Sequence, residues 1–322
     1  MRLHDDADAF IELMQASAEH FQLPEVYLEK DYWVSHCLRQ LALSDYVDQV
    51  VFKGGTSLSK AYNVIHRFSE DIDLAFLPQD LTAGQIKGRL KAVERVTAGD
   101  LTPLRDDDRQ SKGSKFRKTV YEYPRHLSGT DFGQASPHLL IEINSFTTPS
   151  PYQSIPLQTM VAEFLVTQSR IDLIEDYGLQ SFEVNVLAQE RTLLEKILAM
   201  VRISYEQDIA ASLGPKVRHL YDIAMLMRIG EMRAFVSGEE FEALCRDCMS
   251  DEADLSFSQE SGWLRHSLSS APLFSQFDEW WSRVDAVYRN DFSTLVHGEL
   301  PEPDEIGDAL KLIQARLELL SI

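Results

Sequence analysis

Asp71 and Asp73 stand two residues apart in Ser69-Glu70-Asp71-Ile72-Asp73-Leu74-Ala75-Phe76. On a strand, that spacing turns both carboxylates to one face and sends Ile72, Leu74 and Phe76 to the other. Two carboxylates on one face are hard oxygen ligands suited to Mg²⁺. Upstream, the apolar run Val50-Val51-Phe52 leads through Lys53 into Gly54-Gly55-Thr56-Ser57. Two glycines permit a sharp turn and let a ligand approach the backbone closely. Thr56 and Ser57 can cap a helix expected over Leu58 to Ile65. Its unpaired N–H groups and dipole would favour a phosphate. Either motif alone is commonplace: Gly-Gly is usually a turn, and Asp-x-Asp usually a solvated strand edge. Specificity comes from their order, strand, Gly-Gly-Thr-Ser, helix, Asp-x-Asp strand. No Gly-Lys-Ser/Thr follows at Walker A spacing, and Lys60 lies within the helix instead.

That order resembles the active-site signature of the DNA polymerase β-type nucleotidyltransferases. The fuller pattern GGTSLSKAY…RFSEDIDL, together with Glu29-Lys30-Asp31-Tyr32-Trp33, resembles the AbiEii/AbiGii toxin family within that superfamily. The resemblance implies transfer of a nucleoside monophosphate from an NTP to an acceptor, with pyrophosphate leaving. Gly54, Gly55, Thr56, Ser57 and Lys60 would bind the nucleotide. Asp71 and Asp73 would hold two Mg²⁺ ions with a third carboxylate from a neighbouring strand, for which Glu142 is the best candidate. Glu190-Arg191-Thr192-Leu193-Leu194-Glu195-Lys196 and Lys216-Val217-Arg218-His219-Leu220-Tyr221-Asp222 resemble the family's later motifs. By that likeness Lys196 contacts the triphosphate and Asp222 completes the site. The plainer alternative is a pair of amphipathic helices, with Asp222 bridged to Arg218 one turn back at the surface. The resemblance also implies a toxin of a bacterial toxin–antitoxin or phage-defence system, with a separately encoded antitoxin and, in some relatives, tRNA as acceptor. Nucleotidylation of a small molecule or a protein is a second reading. A catalytically idle NTP-binding or partner-binding module is a third, opposed by the intact Asp-x-Asp.

The elements that must position these residues are legible in outline. Helical spacing covers Asp8 to Phe21, Val26 to Leu43 and Thr82 to Val96. Lys30 and Asp31 read as an exposed charge cluster beside a buried Trp33. Residues Thr97 to Gly113 read as loop, Lys115 to Tyr123 as a strand, and Ser128 to Pro137 as turn-rich. His138 to Asn144 reads as a central strand with Glu142 and Asn144 on one face. An unpaired carboxylate there costs several kcal/mol, so Glu142 needs a partner or a metal. Ser145 to Gln158 reads as loop and Phe182 to Leu187 as a short strand. Beyond it the chain reads as helical at Thr192 to Tyr205, Lys216 to Ile229, Phe241 to Cys248, Phe277 to Tyr288 and Ile306 to Leu320. The class expected is α+β: a nucleotidyltransferase-like mixed sheet with flanking helices over residues 1–190, then a helical C-terminal domain over 191–322.

A chain of 322 residues with 44% hydrophobic residues can bury a sizeable core. No apolar run reaches transmembrane length and the acidic start lacks signal-peptide character, which points to a cytoplasmic protein. Cys37, Cys245 and Cys248 are too few for a disulfide framework, and one Cys-x-x-Cys does not make a zinc site. The net charge of −20 opposes simple nucleic-acid binding. Against that balance, Arg109, Lys112, Lys115, Arg117, Lys118 and Arg125 face one acid, Glu122. This strip suits a nucleic-acid end or an NTP as well as it suits a solvated loop.

Overall fold

Alternation of apolar and acidic residues does make Asp71–Phe76 a strand, and seven others join it in one mixed sheet. A computed structural model describes residues 1–78, 81–127, 136–253 and 262–320. Most of the turn-rich stretch expected at Ser128 to Pro137 lies outside the described residues. So do Asp80, of the turn expected after Pro78, and part of the polar connection between Asp251 and Ser275. The chain forms two compact units, the first made of Met1–Asn63, Phe68–Ser145 and Tyr152–Leu187. The second comprises Val64–Arg67, Phe146–Pro151 and Ala188–Ile322.

The strands of the first unit are β1 (Val50–Lys53), β2 (Asp71–Phe76), β3 (Thr102–Pro103), β4 (Ser111–Lys112), β5 (Phe116–Glu122), β6 (Leu139–Asn144), β7 (Tyr152–Leu157) and β8 (Phe182–Leu187). They run in the order β3-β5-β6-β2-β1-β8-β7, with β4 also on β5. The pairs β2–β6 and β1–β8 are parallel and the others antiparallel. Its helices are α1 (Ala7–Phe21), α2 (Glu25–Ala42), α3 (Gly54–Lys60), α4 (Ala83–Ala98), α5 (Met160–Thr167) and α6 (Ile171–Asp176). Two expectations for irregular stretches fail. The polar stretch after Ser145 contains β7, an edge strand whose Pro156 is tolerated because an edge needs only one ladder. The loop after Thr97 contains the two-residue strands β3 and β4, too short to carry a pattern.

One face of the sheet buries Ile72, Leu74 and Phe76 beside Ile141 and Ile143, and α2 and α4 pack against it. Thr82 caps α4 in a reciprocal capping box with Gln85. On this face Glu94 of α4 accepts hydrogen bonds from Arg117 and Thr119 of β5.

The charged tripeptide of α2 is not exposed. Glu29 and Lys30 are buried, and each of the three side chains is bonded to a different segment. Glu29 accepts from the His126 N–H at 2.7 Å, just beyond β5. Lys30 donates to Glu70, to the Ser136 carbonyl and, at 2.7 Å, to the His138 carbonyl. Glu70 precedes β2 and His138 precedes β6, so one ammonium ties the starts of both strands to α2. Asp31 accepts from Lys60 of α3 and, at 2.8 Å, from the Met160 N–H that opens α5. The expectation of an exposed cluster fails because a helix this apolar has no solvent face at these positions; the charges survive burial by being fully bonded.

The second unit is helical: α7 (Gln189–Ser204), α8 (Ile209–Leu213), α9 (Val217–Arg228), α10 (Gly230–Ser237), α11 (Glu240–Ala253), α12 (Pro272–Ser275), α13 (Phe277–Ala286) and α14 (Pro303–Leu320). Leu194, Ile197 and Val201 of α7, Leu220 and Ile223 of α9, and Ile306, Leu310 and Ile313 of α14 are buried in its core. Trp280 of α13 is buried with its indole N–H donated to the Leu273 carbonyl at 3.2 Å. All three cysteines are buried thiols.

Lys30→Met should destabilise the protein by about 3–5 kcal/mol, because it strands the Glu70 carboxylate away from its cation. The double variant Lys30→Met/Glu70→Met should recover most of that loss in denaturant unfolding. A single variant as stable as wild type would show that the clamp is idle.

Candidate active site

The helix α3 begins at Gly54, four residues before the expected Leu58, and Lys53 takes the position before it. Thr56 and Ser57 therefore lie inside the first turn and do not cap it. Both are buried; Ser57 donates its hydroxyl to the Gly54 carbonyl at 2.9 Å, and Thr56 shares a 3.0 Å hydrogen bond with Ser69. Lys60 is ion-paired to Asp31 at the other end of the helix. The side chains of Thr56, Ser57 and Lys60 thus each have a partner within the fold.

Gly54 is required twice. Its φ of +84° is one that side-chain-bearing residues rarely adopt, and a Cβ placed on it would lie 2.2 Å from Asp73 Oδ2. The Asp73 carboxylate therefore occupies the space that the missing side chain vacates, directly against the turn.

Asp71 and Asp73 share one face of β2, opposite the apolar residues that pack toward α2 and α4. On the parallel neighbour β6, Glu142 lies in register with Asp73. Strand β6 is interior, between β5 and β2, so Glu142 is not at a sheet edge. Its cation is Lys118 of β5, in register across the antiparallel pair and 3.6 Å away. On the other flank, Lys53 of β1 is in register with Asp73. Four adjacent strands thus carry the row Lys53, Asp73, Glu142, Lys118 on one face.

The basic strip of Arg109 to Arg125 is not one surface. Strand alternation separates its central pair: Arg117 is paired with Glu94 on the helix-covered face, and Lys118 faces Glu142 on the other. Arg109 is bound to Asp107 at 2.6 Å and reaches Ser136 and His138 at 3.3 and 3.4 Å. Lys112 and Lys115 remain exposed.

Oxygen donors from Asp71, Asp73 and Glu142 suit a hard divalent cation, and the Gly54 notch holds one of them in place. Among the described residues, no three His, Cys, Asp or Glu side chains are gathered closely enough to hold a metal.

In the second unit, Lys196 of α7 and Asp222 of α9 meet. Lys196 donates to Asp222 at 2.6 Å, and Arg67 grips the same carboxylate with two hydrogen bonds of 2.7 and 2.8 Å. Asp222 is 0% exposed. The surface pairing expected with Arg218 does not form, because α9 turns Asp222 inward, where Arg67 arrives from a distant segment. Burial by itself would raise the Asp222 pKa; the Arg67 and Lys196 charges outweigh it and hold the carboxyl well below its ordinary range. Its contribution to stability is therefore complete above about pH 4 and is lost as pH falls through the depressed value. Burial, then the Lys196 charge, keep His219 well below its usual pKa, so the imidazole beside Lys196 at 3.4 Å is neutral at pH 7.

Residues 36–305 match the family described as nucleotidyl transferase AbiEii toxin, type IV toxin–antitoxin system. The chain belongs to the AbiEii family. It is a nucleotidyltransferase of the toxin class found in type IV toxin–antitoxin systems, which act with an NTP substrate and a cognate antitoxin. Among solved structures it is similar to MenT4, a nucleotidyltransferase toxin from Mycobacterium tuberculosis H37Rv, with 17% identity over 96% of this chain and 99% of that one, at a TM-score of 0.42. No curated protein sequence matches. Among the described residues, no helix is long and apolar enough to cross a membrane.

Sequence reasoning gave no role to Arg67, although it opens the AbiEii-like RFSEDIDL segment, nor to Lys53, and it read Lys118 only as part of the basic strip. The signal for Arg67 was its place in the motif. For the two lysines it was strand parity, which becomes useful only when the register is known.

Gly54→Ala should cost about 1–3 kcal/mol of stability from backbone strain. It should also lower nucleotidyl transfer by at least ~100-fold, since the new Cβ must push the Asp73 carboxylate aside. Wild-type turnover from this variant would remove Asp73 from the site. For the second unit, Asp222→Asn should destabilise by about 3–5 kcal/mol in urea unfolding, because two cations lose their buried counter-ion. A change below 1 kcal/mol, as for a surface pair, would contradict the buried arrangement.

Proposed function

We propose that this protein transfers a nucleoside monophosphate from an NTP to an RNA acceptor, with the tRNA 3′ end as the favoured target, and that it acts in the cytoplasm in bacterial antiviral defence. The observation that carries the reading is the carboxylate face: Asp71 and Asp73 on one strand, Glu142 in register beside Asp73, and Gly54 against the Asp73 carboxylate.

Asp71, Asp73 and Glu142 are the residues that would hold Mg²⁺, in a two-ion arrangement. When bound, Mg²⁺ supplies charge neutralisation on the phosphates and orients the acceptor hydroxyl. The protein's own part is positional. The glycine turn lets the triphosphate lie against backbone N–H groups of Gly54 to Ser57, and the absence of a side chain at Gly54 leaves the Asp73 carboxylate its place beside them. Burial of Thr56 and Ser57 keeps that turn rigid, and Lys60 contributes through Asp31, as a support of α3. No side-chain nucleophile is required, because the acceptor hydroxyl attacks the α-phosphate in line and pyrophosphate leaves. Such catalysis is mostly positioning and electrostatic stabilisation. By the family resemblance Lys196 would contact the triphosphate and Asp222 would complete the active site; Lys is a point charge suited to phosphate oxygens. The exposed Lys112 and Lys115 are the basic residues suited to the acceptor backbone, and on a chain of net charge −20 their contribution is local.

The test is incubation with each α-labelled NTP and Mg²⁺, with total tRNA in one arm and RNA-free protein extract in the other. Label should enter tRNA and should be lost by at least ~100-fold in Asp71→Asn and in Asp73→Asn, with folding retained. Label entering protein instead would redirect the acceptor, and either variant at wild-type turnover would refute the carboxylate assignment.

A further inference from the structure

One edge of the Arg109 guanidinium is engaged by Asp107, with Nε donating to Oδ1 at 2.9 Å and Nη2 to Oδ2 at 2.6 Å. That fork fixes the plane of the group. The outer edge makes only long contacts, Nη1 to Ser136 Oγ at 3.3 Å and Nη2 to His138 Nδ1 at 3.4 Å. The side chain is 44% exposed. Its pKa is raised, first by the Asp107 hydrogen bonds and further by the charges of Asp71 and Glu70, so the guanidinium stands near the Asp71 end of the carboxylate face. Lys30, the cation bonded to Glu70, is buried and cannot meet a ligand.

The contact with His138 also orients that ring. An arginine N–H only donates, so Nδ1 accepts, and the neutral imidazole carries its proton on Nε2. The ring is neutral at pH 7, since burial and then the Arg109 charge lower its pKa. Among the described residues no group accepts the Nε2–H. Place on the sheet decides which substrate these donors face. The glycine turn follows β1, on one flank of β2, whereas Arg109 precedes β4 and His138 precedes β6, on the other. With the triphosphate on the glycine turn, pyrophosphate leaves on the β1 flank. An in-line displacement then brings the acceptor oxygen from the opposite one.

We propose that Arg109 and His138 bind the backbone phosphate next to the acceptor's terminal hydroxyl, and so select a nucleic-acid acceptor and hold it on the flank of β2 opposite the glycine turn. The inference rests on the reading of the glycine turn as the triphosphate site and of RNA as the acceptor. The outer guanidinium edge sets two nitrogens side by side, which matches two phosphate oxygens. A fork already held by Asp107 loses little freedom on binding. A chain of net charge −20 repels RNA as a whole, so an RNA end needs a local, oriented cation.

The experiment measures binding of a 5′-fluorescein single-stranded RNA ending in CCA-3′-OH to the full chain by anisotropy, in EDTA, without NTP and across a salt series. Binding of each NTP with Mg²⁺ is measured separately by equilibrium dialysis. Arg109→Ala should weaken RNA binding about tenfold and lower the log–log salt slope by about one, with NTP affinity unchanged. Arg109→Lys should restore the slope but not the affinity, because the charge returns without the fork. His138→Gln, whose amide N–H can stand in for Nε2–H, should bind RNA as wild type does, and His138→Leu should bind a few-fold more weakly. Wild-type affinity and slope in Arg109→Ala overturn the proposal. Lost NTP affinity with RNA binding intact also overturns it, by moving Arg109 to the nucleotide. His138→Leu binding as wild type overturns the paired donor by removing the histidine from the site. If the wild-type chain binds NTP but no RNA, the RNA-acceptor reading fails and this inference falls with it. Arg109→Gln repeats the measurement should the alanine variant not fold.

Discussion

An ammonium with no exposure to water must have every charge-compensating contact supplied by the protein, and Lys30 satisfies that demand with Glu70 and the carbonyls of Ser136 and His138. Burial, outweighing mutual attraction, pushes the lysine pKa down and the Glu70 pKa up. The pair is tolerated because the groups around it are hydrogen-bonded as well: Glu70 also accepts from the Ser136 N–H. What the arrangement secures is register. Lys30 fixes where β2 and β6 begin, and a one-residue slip of either would send the carboxylates to the apolar face. Glu29 and Asp31, on either side, do the same for the segment after β5 and for α3 and α5.

With register secured, the two faces of the sheet take opposite tasks. The face toward α2 and α4 is filled by Ile72, Leu74, Ile141 and Ile143, and its few charges are consumed locally, as Arg117 is by Glu94. The other face carries the charged row. Its polarity is paid for by pairing along the row, and Gly54 supplies the room that Asp73 needs. Apolar packing on one face thus leaves the other for a polar arrangement.

The helical unit handles charge differently. Arg67, Lys196 and Asp222 form a buried triad in which two cations share one carboxylate.

The sequence by itself determined where the carboxylates lie: the Gly-Gly turn, the carboxylate pair on one strand face, Glu142 on a neighbouring strand, and most helices. Those features are local, set by alternation, helical period and glycine's freedom. It also determined the family, since the GGTSLSKAY and RFSEDIDL segments carry it. Only the tertiary structure decided which charges are buried and with whom. Lys30 and Asp31 look like solvent-facing helix residues until strands from distant parts of the chain close over them. Asp222 looks like a partner of Arg218 until Arg67, 155 residues away, arrives. Arg117 and Lys118 look like one basic strip until β5 takes its place beside β6 and strand parity sends them to opposite faces. The physical reason is the same in each case: local periodicity says which side of an element a residue faces, whereas the dielectric and partners on that side come from segments whose position only the completed fold defines.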